Sequence, residues 1–180
     1  MSETVLRGTA WVATGYVLAY EIITQEHWTS RIDPVENAKF VMAGVAPEFM
    51  DEGAFAARGY RFIVAGHNFA GGGKSIEHVI TGMMGAGIGA VLADSFARLQ
   101  FRNAINYGLP FITCKGIHAL VQTGDELEVN LSTGSVRNLT RSIEVQAVPV
   151  PAFVKDVAAA GGMIPFIRQH IANGTVGTLR

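Results

Sequence analysis

The sequence predicts an α/β domain with a mixed sheet, parallel in its core and antiparallel towards the C-terminal end. Three observations carry that reading. Residues 60–81 pass from an apolar run (Phe62 to Ala65) through Gly71-Gly72-Gly73 to an amphipathic stretch opening near Ser75, which is strand, turn and helix in succession. The Gly87-to-Ala93 run is apolar on both faces, as in a central parallel strand. Residues 124–131 instead alternate polar and apolar, the period of a half-exposed strand.

Taken in order, residues 5–13 read as a first strand, closed by Thr14-Gly15. Tyr16 to Thr24 fits a short strand or a turn leading into a loop. Asp33-Pro34 opens a helix, because aspartate caps well and proline suits the first helical position. Its apolar residues, Ala38, Phe40, Val41 and Met42, follow at helical spacing. Pro47 to Met50 forms a second short helix. After the strand at 61–65, Ser75 is the expected N-cap of a helix reaching Gly85. Within it Gly82 and Gly85 each cost about 1 kcal/mol relative to alanine, a cost that close backbone packing would explain.

Ser95 to Asn106 reads as a helix, with Phe96, Leu99 and Ile105 to one side, and Phe111 to Cys114 as a strand. Ser132-Thr133-Gly134 turns the chain into Val136 and then Ile143 to Val145, an antiparallel hairpin or meander. Pro149 and Pro151 break it, and Phe153 to Ala160 is a helix closed by Gly161-Gly162. Residues 163–167 extend or follow that helix, and a mobile tail is expected over 168–180. No repeat or linker divides the chain, so residues 1–180 are expected to form one domain.

Composition narrows the function. With 49% apolar and 16% charged residues the chain is globular, and a partner is one way to cover some of that apolar surface. A net charge of −1 offers no basic field for nucleic acid or an anionic membrane. The first residues lack the basic start and apolar core of a signal peptide, and no apolar run reaches a membrane span, so a cytoplasmic protein is expected. Cys114 stands alone, so neither an internal disulfide nor an iron–sulfur cluster can be built from this chain by itself. The five histidines show no tight metal spacing, so no metal is expected on the chain.

The chemistry concentrates in the glycine cluster. Glycines admit a ligand close to backbone N–H groups, and a following helix start adds partial positive charge, so Gly72, Gly73, Lys74 and Ser75 are candidate anion-binding residues. Asn68 to Ser75 nearly matches the Walker A pattern, lacking its first glycine, and Val91-Leu92-Ala93-Asp94 resembles a Walker B strand. A nucleotide-binding reading follows, but the later hairpin and closing helix fit it poorly.

Beyond the lysine lies a broader likeness. Asn68-Phe69 and Gly71 to His78 resemble the Asn-Phe-Gly-Cys-Gly-Ser-Ser-Arg-Glu-His signature of aconitase-family swivel domains, above all the small subunit of 3-isopropylmalate dehydratases. Asp33-Pro34 through Phe49, Ala86 to Val91 with Ser95 to Arg98, Phe101 to Pro110, and Gly124 to Val129 with Thr133-Gly134 resemble further segments of that subunit in the same order. The likeness spans about residues 5–165. It implies a β/β/α swivel domain with a mixed, partly barrel-like sheet. It further implies a hydro-lyase subunit that adds or removes water on a small hydroxy-di- or tricarboxylic acid. A large partner subunit would hold a [4Fe–4S] cluster.

The resemblance breaks at the chemistry. Aligning the glycines makes Ala70 an insertion and puts Lys74 at the family's catalytic serine, Ser75 at its second serine and Ile76 at its arginine. An N-terminal Thr-Asp pair is here Ala19-Tyr20. Lys74 and Ser75 are therefore the expected catalytic pair, with altered substrate specificity, since a lysine does not replace a bidentate guanidinium. Asn68, Glu77 and His78 are expected to orient the loop, and Trp28 and Arg31 fall where the family selects its substrate. A non-catalytic anion-binding paralogue is the alternative. His67 and His118 are expected at the surface and Cys114 as buried filler, while Arg98 and Arg102 either pair within the domain or face the partner.

Overall fold

The structure is a computed structural model that describes residues 4–28 and 32–175. Four strands build its parallel core: β1 (Val5–Val12), β2 (Phe62–Ala65), β3 (Ala90–Ala93) and β4 (Phe111–Thr113). β5 (Glu126–Asn130), β6 (Ser135–Asn138) and β7 (Ile143–Gln146) form the expected meander. All seven join one sheet ordered β4-β3-β2-β1-β5-β6-β7, with β1 parallel to β2 and antiparallel to β5. β1 is thus the hinge between the two halves. β3, expected to be central, lies one strand from the edge, yet all four of its residues are buried.

Alternation along the strands makes two cores. Ile63, Ala65, Val91 and Ala93 face one cluster with helices α1 (Ala19–Ile22), α2 (Pro34–Ala38) and α3 (Glu77–Gly85). Phe62, Val64, Ala90 and Leu92 face the other, where they meet Leu127, Val129 and Val136 of the meander. The antiparallel strands therefore fold back over the parallel ones to enclose apolar side chains. That gives antiparallel, parallel and helical layers, and a partly closed sheet.

Local structure departs from the sequence expectations where tertiary contacts decide. Tyr16 to Thr24 contains the short helix α1 rather than a strand, although Leu18 still forms an isolated parallel bridge to Gly71. Asp33 caps α2 through its side chain, which accepts from the Val35 and Glu36 N–H groups. That helix ends at Ala38, and Met42 turns left-handed (φ 64°) to seat its side chain in the core. The last helices are two: α5 (Ala152–Ala159) and α6 (Met163–Ala172), separated by Gly161-Gly162. Residues 168–172, expected in a mobile tail, are thus helical, and 176–180 lie outside the described residues. Among the described residues no helix is long and apolar enough to cross a membrane.

The two helical glycines serve close packing. A Cβ on Gly85 would stand 2.0 Å from the Pro34 carbonyl oxygen, and one on Gly82 2.7 Å from Ile23 Cδ1. The first contact is with backbone, which cannot rotate away. Gly85→Ala must push α2 off α3, so it is expected to destabilise the fold by about 1–3 kcal/mol despite alanine's better helix propensity. Chemical denaturation checks this; an unchanged or raised midpoint would contradict it.

Candidate functional site

The glycine loop starts where β2 leaves the sheet. Asn68 and Ala70 both adopt left-handed backbone (φ 52° and 57°), which costs non-glycine residues energy and so needs outside support. That support comes from the loop ahead of α4 (Arg98–Tyr107). The Asn68 N–H donates to Ser95 Oγ at 2.8 Å and the Phe69 N–H to the Ser95 carbonyl at 2.9 Å. The Ala97 N–H returns to the Phe69 carbonyl. Asn68 Nδ2 donates to the Tyr16 hydroxyl.

The N-terminal segment forms the other wall. The Gly71 N–H donates to the Val17 carbonyl and the Ala19 N–H to the Gly71 carbonyl, at 3.1 and 3.0 Å. Tyr16 and Tyr20 lie against the glycines. A Cβ on Gly71 would come within 2.1 Å of the Tyr16 hydroxyl, and one on Gly72 within 2.9 Å of Tyr20 Cε1. Gly72 and Gly73 have φ of 93° and 70°, so they turn the chain outward as few other residues could.

Lys74 emerges from that turn and meets Trp28: its ammonium lies 5.6 Å from the indole centroid. Two residues 46 positions apart (28 to 74) that the sequence marked independently are therefore neighbours. Trp28 is fixed by its own Nε1–H, which donates to the Ile23 carbonyl at 3.0 Å. The indole face favours a cation there, worth about 0.5–1 kcal/mol at an exposed site. Arg31 lies outside the described residues.

Ser75 does not cap a helix. α3 begins at Glu77, with Ile76 at the cap position and no side-chain capping bond. The Ser75 hydroxyl instead accepts from Asn103 Nδ2 at 3.0 Å. Ile76 packs inward, 5% exposed, within the helical core cluster. Glu77 stays exposed and accepts from the Tyr107 hydroxyl at 2.9 Å, clamping the start of α3 to the end of α4. Burial, with the Glu77 hydrogen bond and charge, pushes the Tyr107 phenol up to about 12, so it remains a donor across the physiological range. His78 is half-buried in the first turn.

Sequence reasoning missed Gln100, Asn103 and Tyr107 as loop partners. Gln100 is wholly buried, and its Nε2 donates to the Lys74 carbonyl at 3.1 Å. The expected apolar face of α4 is also corrected: Leu99 is exposed, while Gln100, Asn103 and Ala104 are buried. The helix turns a polar stripe to the loop, a pattern that an apolar-period search passes over.

The nucleotide-binding geometry is absent from this loop. Lys74 and Ser75 precede the helix rather than open it. The Asp94 carboxylate accepts from the Gly116 N–H and pairs with His118 instead of facing the loop. His67 and His118 are exposed, as expected. Cys114 is buried, and burial, helped by the Asp94 charge, pushes its thiol up to about 11. One inert thiol does not supply the thiolate set of an iron–sulfur cluster, and among the described residues no group of three His, Cys, Asp or Glu could hold a metal ion. Arg98 and Arg102 are exposed and form no ion pair among the described residues; with Ser95, Phe96, Phe101 and Thr113 they line an open cleft of about 340 Å³.

The Aconitase C-terminal domain family model matches residues 28–115, a span that includes the glycine loop. The isopropylmalate/citramalate isomerase small subunit of Methanocaldococcus jannaschii is 40% identical over 170 residues, covering 94% of this chain and 98% of its own. The 3-isopropylmalate dehydratase small subunit 1 of Methanopyrus kandleri is 42% identical, over 92% of this chain and 94% of its own. The crystal structure of a 3-isopropylmalate dehydratase from M. jannaschii superposes with a TM-score of 0.83 at 28% identity, over 95% of this chain and 98% of that one.

Proposed function

Because the chain belongs to the family of 3-isopropylmalate dehydratase small subunits, we propose that it is the swivel half of a two-chain hydro-lyase acting on an alkyl-substituted malate. The single observation behind this reading is the outward-turned glycine loop, which presents a lysine beside an indole and a serine held by a buried amide. On this reading the loop closes over a larger partner that carries a [4Fe–4S] cluster, for which this chain has no ligand set. The cluster's chemistry is Lewis acidity towards the substrate hydroxyl.

This chain's residues bind and take a proton. The Lys74 ammonium holds a substrate carboxylate by charge-assisted hydrogen bonding, helped by the N–H groups around Gly72 and Gly73. The Trp28 face limits where that ammonium can swing. Ser75, as its alkoxide, takes the carbon-bound proton: the O–H bond forms as C–H breaks, and the C–H pair becomes the second bond of the alkene as hydroxide departs. Hydration runs the same path in reverse. Ile76 points inward where the family signature has arginine, and Lys74 is the cation that the loop itself presents. One point charge replaces a fork, which favours a different range of malates from that of an arginine-bearing loop.

Co-expression with a large subunit and anaerobic assay over 3-isopropylmalate and citramalate tests the reading. Dehydration is expected from the assembled pair and from neither chain alone. Turnover by the isolated chain, or a stable pair inert towards every malate, would overturn it.

A further inference from the structure

α4 carries three polar side chains at i, i+3 and i+7: Gln100, Asn103 and Tyr107. They bond in order to three points of one short segment, namely the Lys74 carbonyl, the Ser75 hydroxyl and the Glu77 carboxylate. The first two are buried, Gln100 completely and Asn103 at 8% exposure, and they also approach each other, Nδ2 to Oε1, at 3.5 Å. A buried amide is costly unless it is bonded, so these groups are committed to the loop. Among the described residues no buried side-chain nitrogen or oxygen lacks a partner.

We propose that this stripe is the positioning device of the active loop, with Asn103 tuning Ser75 and Gln100 placing Lys74. The inference rests on the reading of Ser75 as proton acceptor and Lys74 as carboxylate grip. Asn103 Nδ2 donates to Ser75 Oγ at 3.0 Å, nearer than the 3.4 Å at which the hydroxyl can donate back to Oδ1, and a donor on that oxygen favours the alkoxide over the hydroxyl. Other groups near this oxygen act less directly: the Lys74 ammonium is turned towards Trp28, and Glu77 is engaged by Tyr107. Gln100 holds only backbone, so its effect passes through the direction in which Lys74 leaves the loop. The two amides therefore act on different kinetic constants.

The test uses the two-subunit complex with 3-isopropylmalate, measuring kcat and KM against pH for Asn103→Leu, Gln100→Met and Ser75→Ala. Loss of a hydrogen bond to a charged group is worth roughly ten- to a hundredfold. Asn103→Leu is expected to lower kcat by about that factor, with KM within about twofold, and to move the rising limb of the kcat profile at least one pH unit upward. Gln100→Met is expected to act mainly on KM. In the double variant Ser75→Ala/Asn103→Leu, kcat should be no lower than in Ser75→Ala alone. Should Asn103→Leu not fold, Asn103→Thr, which keeps a shorter donor, should show the same limb displacement in smaller degree. An unmoved limb in a folded, partnered Asn103 variant overturns the inference while a dead Ser75→Ala leaves the proposed function standing. An active Ser75→Ala overturns both.

Discussion

Ser75→Ala in the assembled complex is expected to lower kcat roughly hundred- to ten-thousandfold, the range for loss of a positioned general base, without dispersing the subunits. The hydroxyl makes its hydrogen bond to Asn103 at the protein's edge, so its removal leaves the two cores intact. Lys74→Ala should act differently. It removes a carboxylate partner common to ground and transition states, so KM is expected to rise roughly ten- to a hundredfold with a smaller change in kcat. Steady-state kinetics on both variants, with gel filtration of the complex, separates these outcomes. If kcat and KM were unaltered in both, the loop would have no part in turnover.

The second large effect concerns stability. Asp125 is buried, and its Oδ2 accepts from the Gln122 N–H, Asn138 Nδ2 and Arg141 Nε at 2.9, 2.8 and 2.6 Å. Burial alone would raise this carboxyl, but the three hydrogen bonds and the Arg141 charge outweigh it and hold the group below its usual range. Its stabilising contribution is therefore complete above the unfolded-state pKa, near 4, and is lost as pH falls through the folded-state value. Asp125→Ala takes an acceptor from the buried Asn138 amide and a charged partner from the part-exposed Arg141, and is expected to cost about 1–3 kcal/mol at pH 7. The stability difference from wild type should begin to shrink below about pH 4, where the unfolded carboxyl takes up its proton, and go on shrinking down to the lower folded-state value. Urea melts at pH 7 and pH 3.5 check the sign; a difference that grew in acid would contradict it.

Much of the frame was legible because local and global signals agree. The strand–glycine–helix unit, the meander and the closing helix each follow from hydrophobic period and turn chemistry, and the structure holds all three. Gly82 and Gly85 were readable as packing points, since a helix carries such a cost only for a neighbour's backbone. Residues 16–24 were not, because α1 is only four residues long and owes its place to the glycine loop it pairs with.

The candidate site was legible in its residue types and not in its contacts. Lys74, Ser75 and Trp28 stood out by motif and resemblance, but nothing in the chain announces that Lys74 lies over Trp28. Ser75 has the composition of an N-cap, and the preference was overridden when Asn103 took its hydroxyl. The stripe of α4 was hidden for a plainer reason. Amides at helical spacing resemble a solvated face, and only tertiary structure reveals that they point inward.

The inward turn of Ile76 constrains how this protein can change its taste for substrates. Where the family signature that this loop resembles carries an arginine, the chain buries Ile76. Writing arginine at position 76 would bury an unpaired charge among Val79, Ile80 and their neighbours, a fault costing several kcal/mol rather than a regained grip.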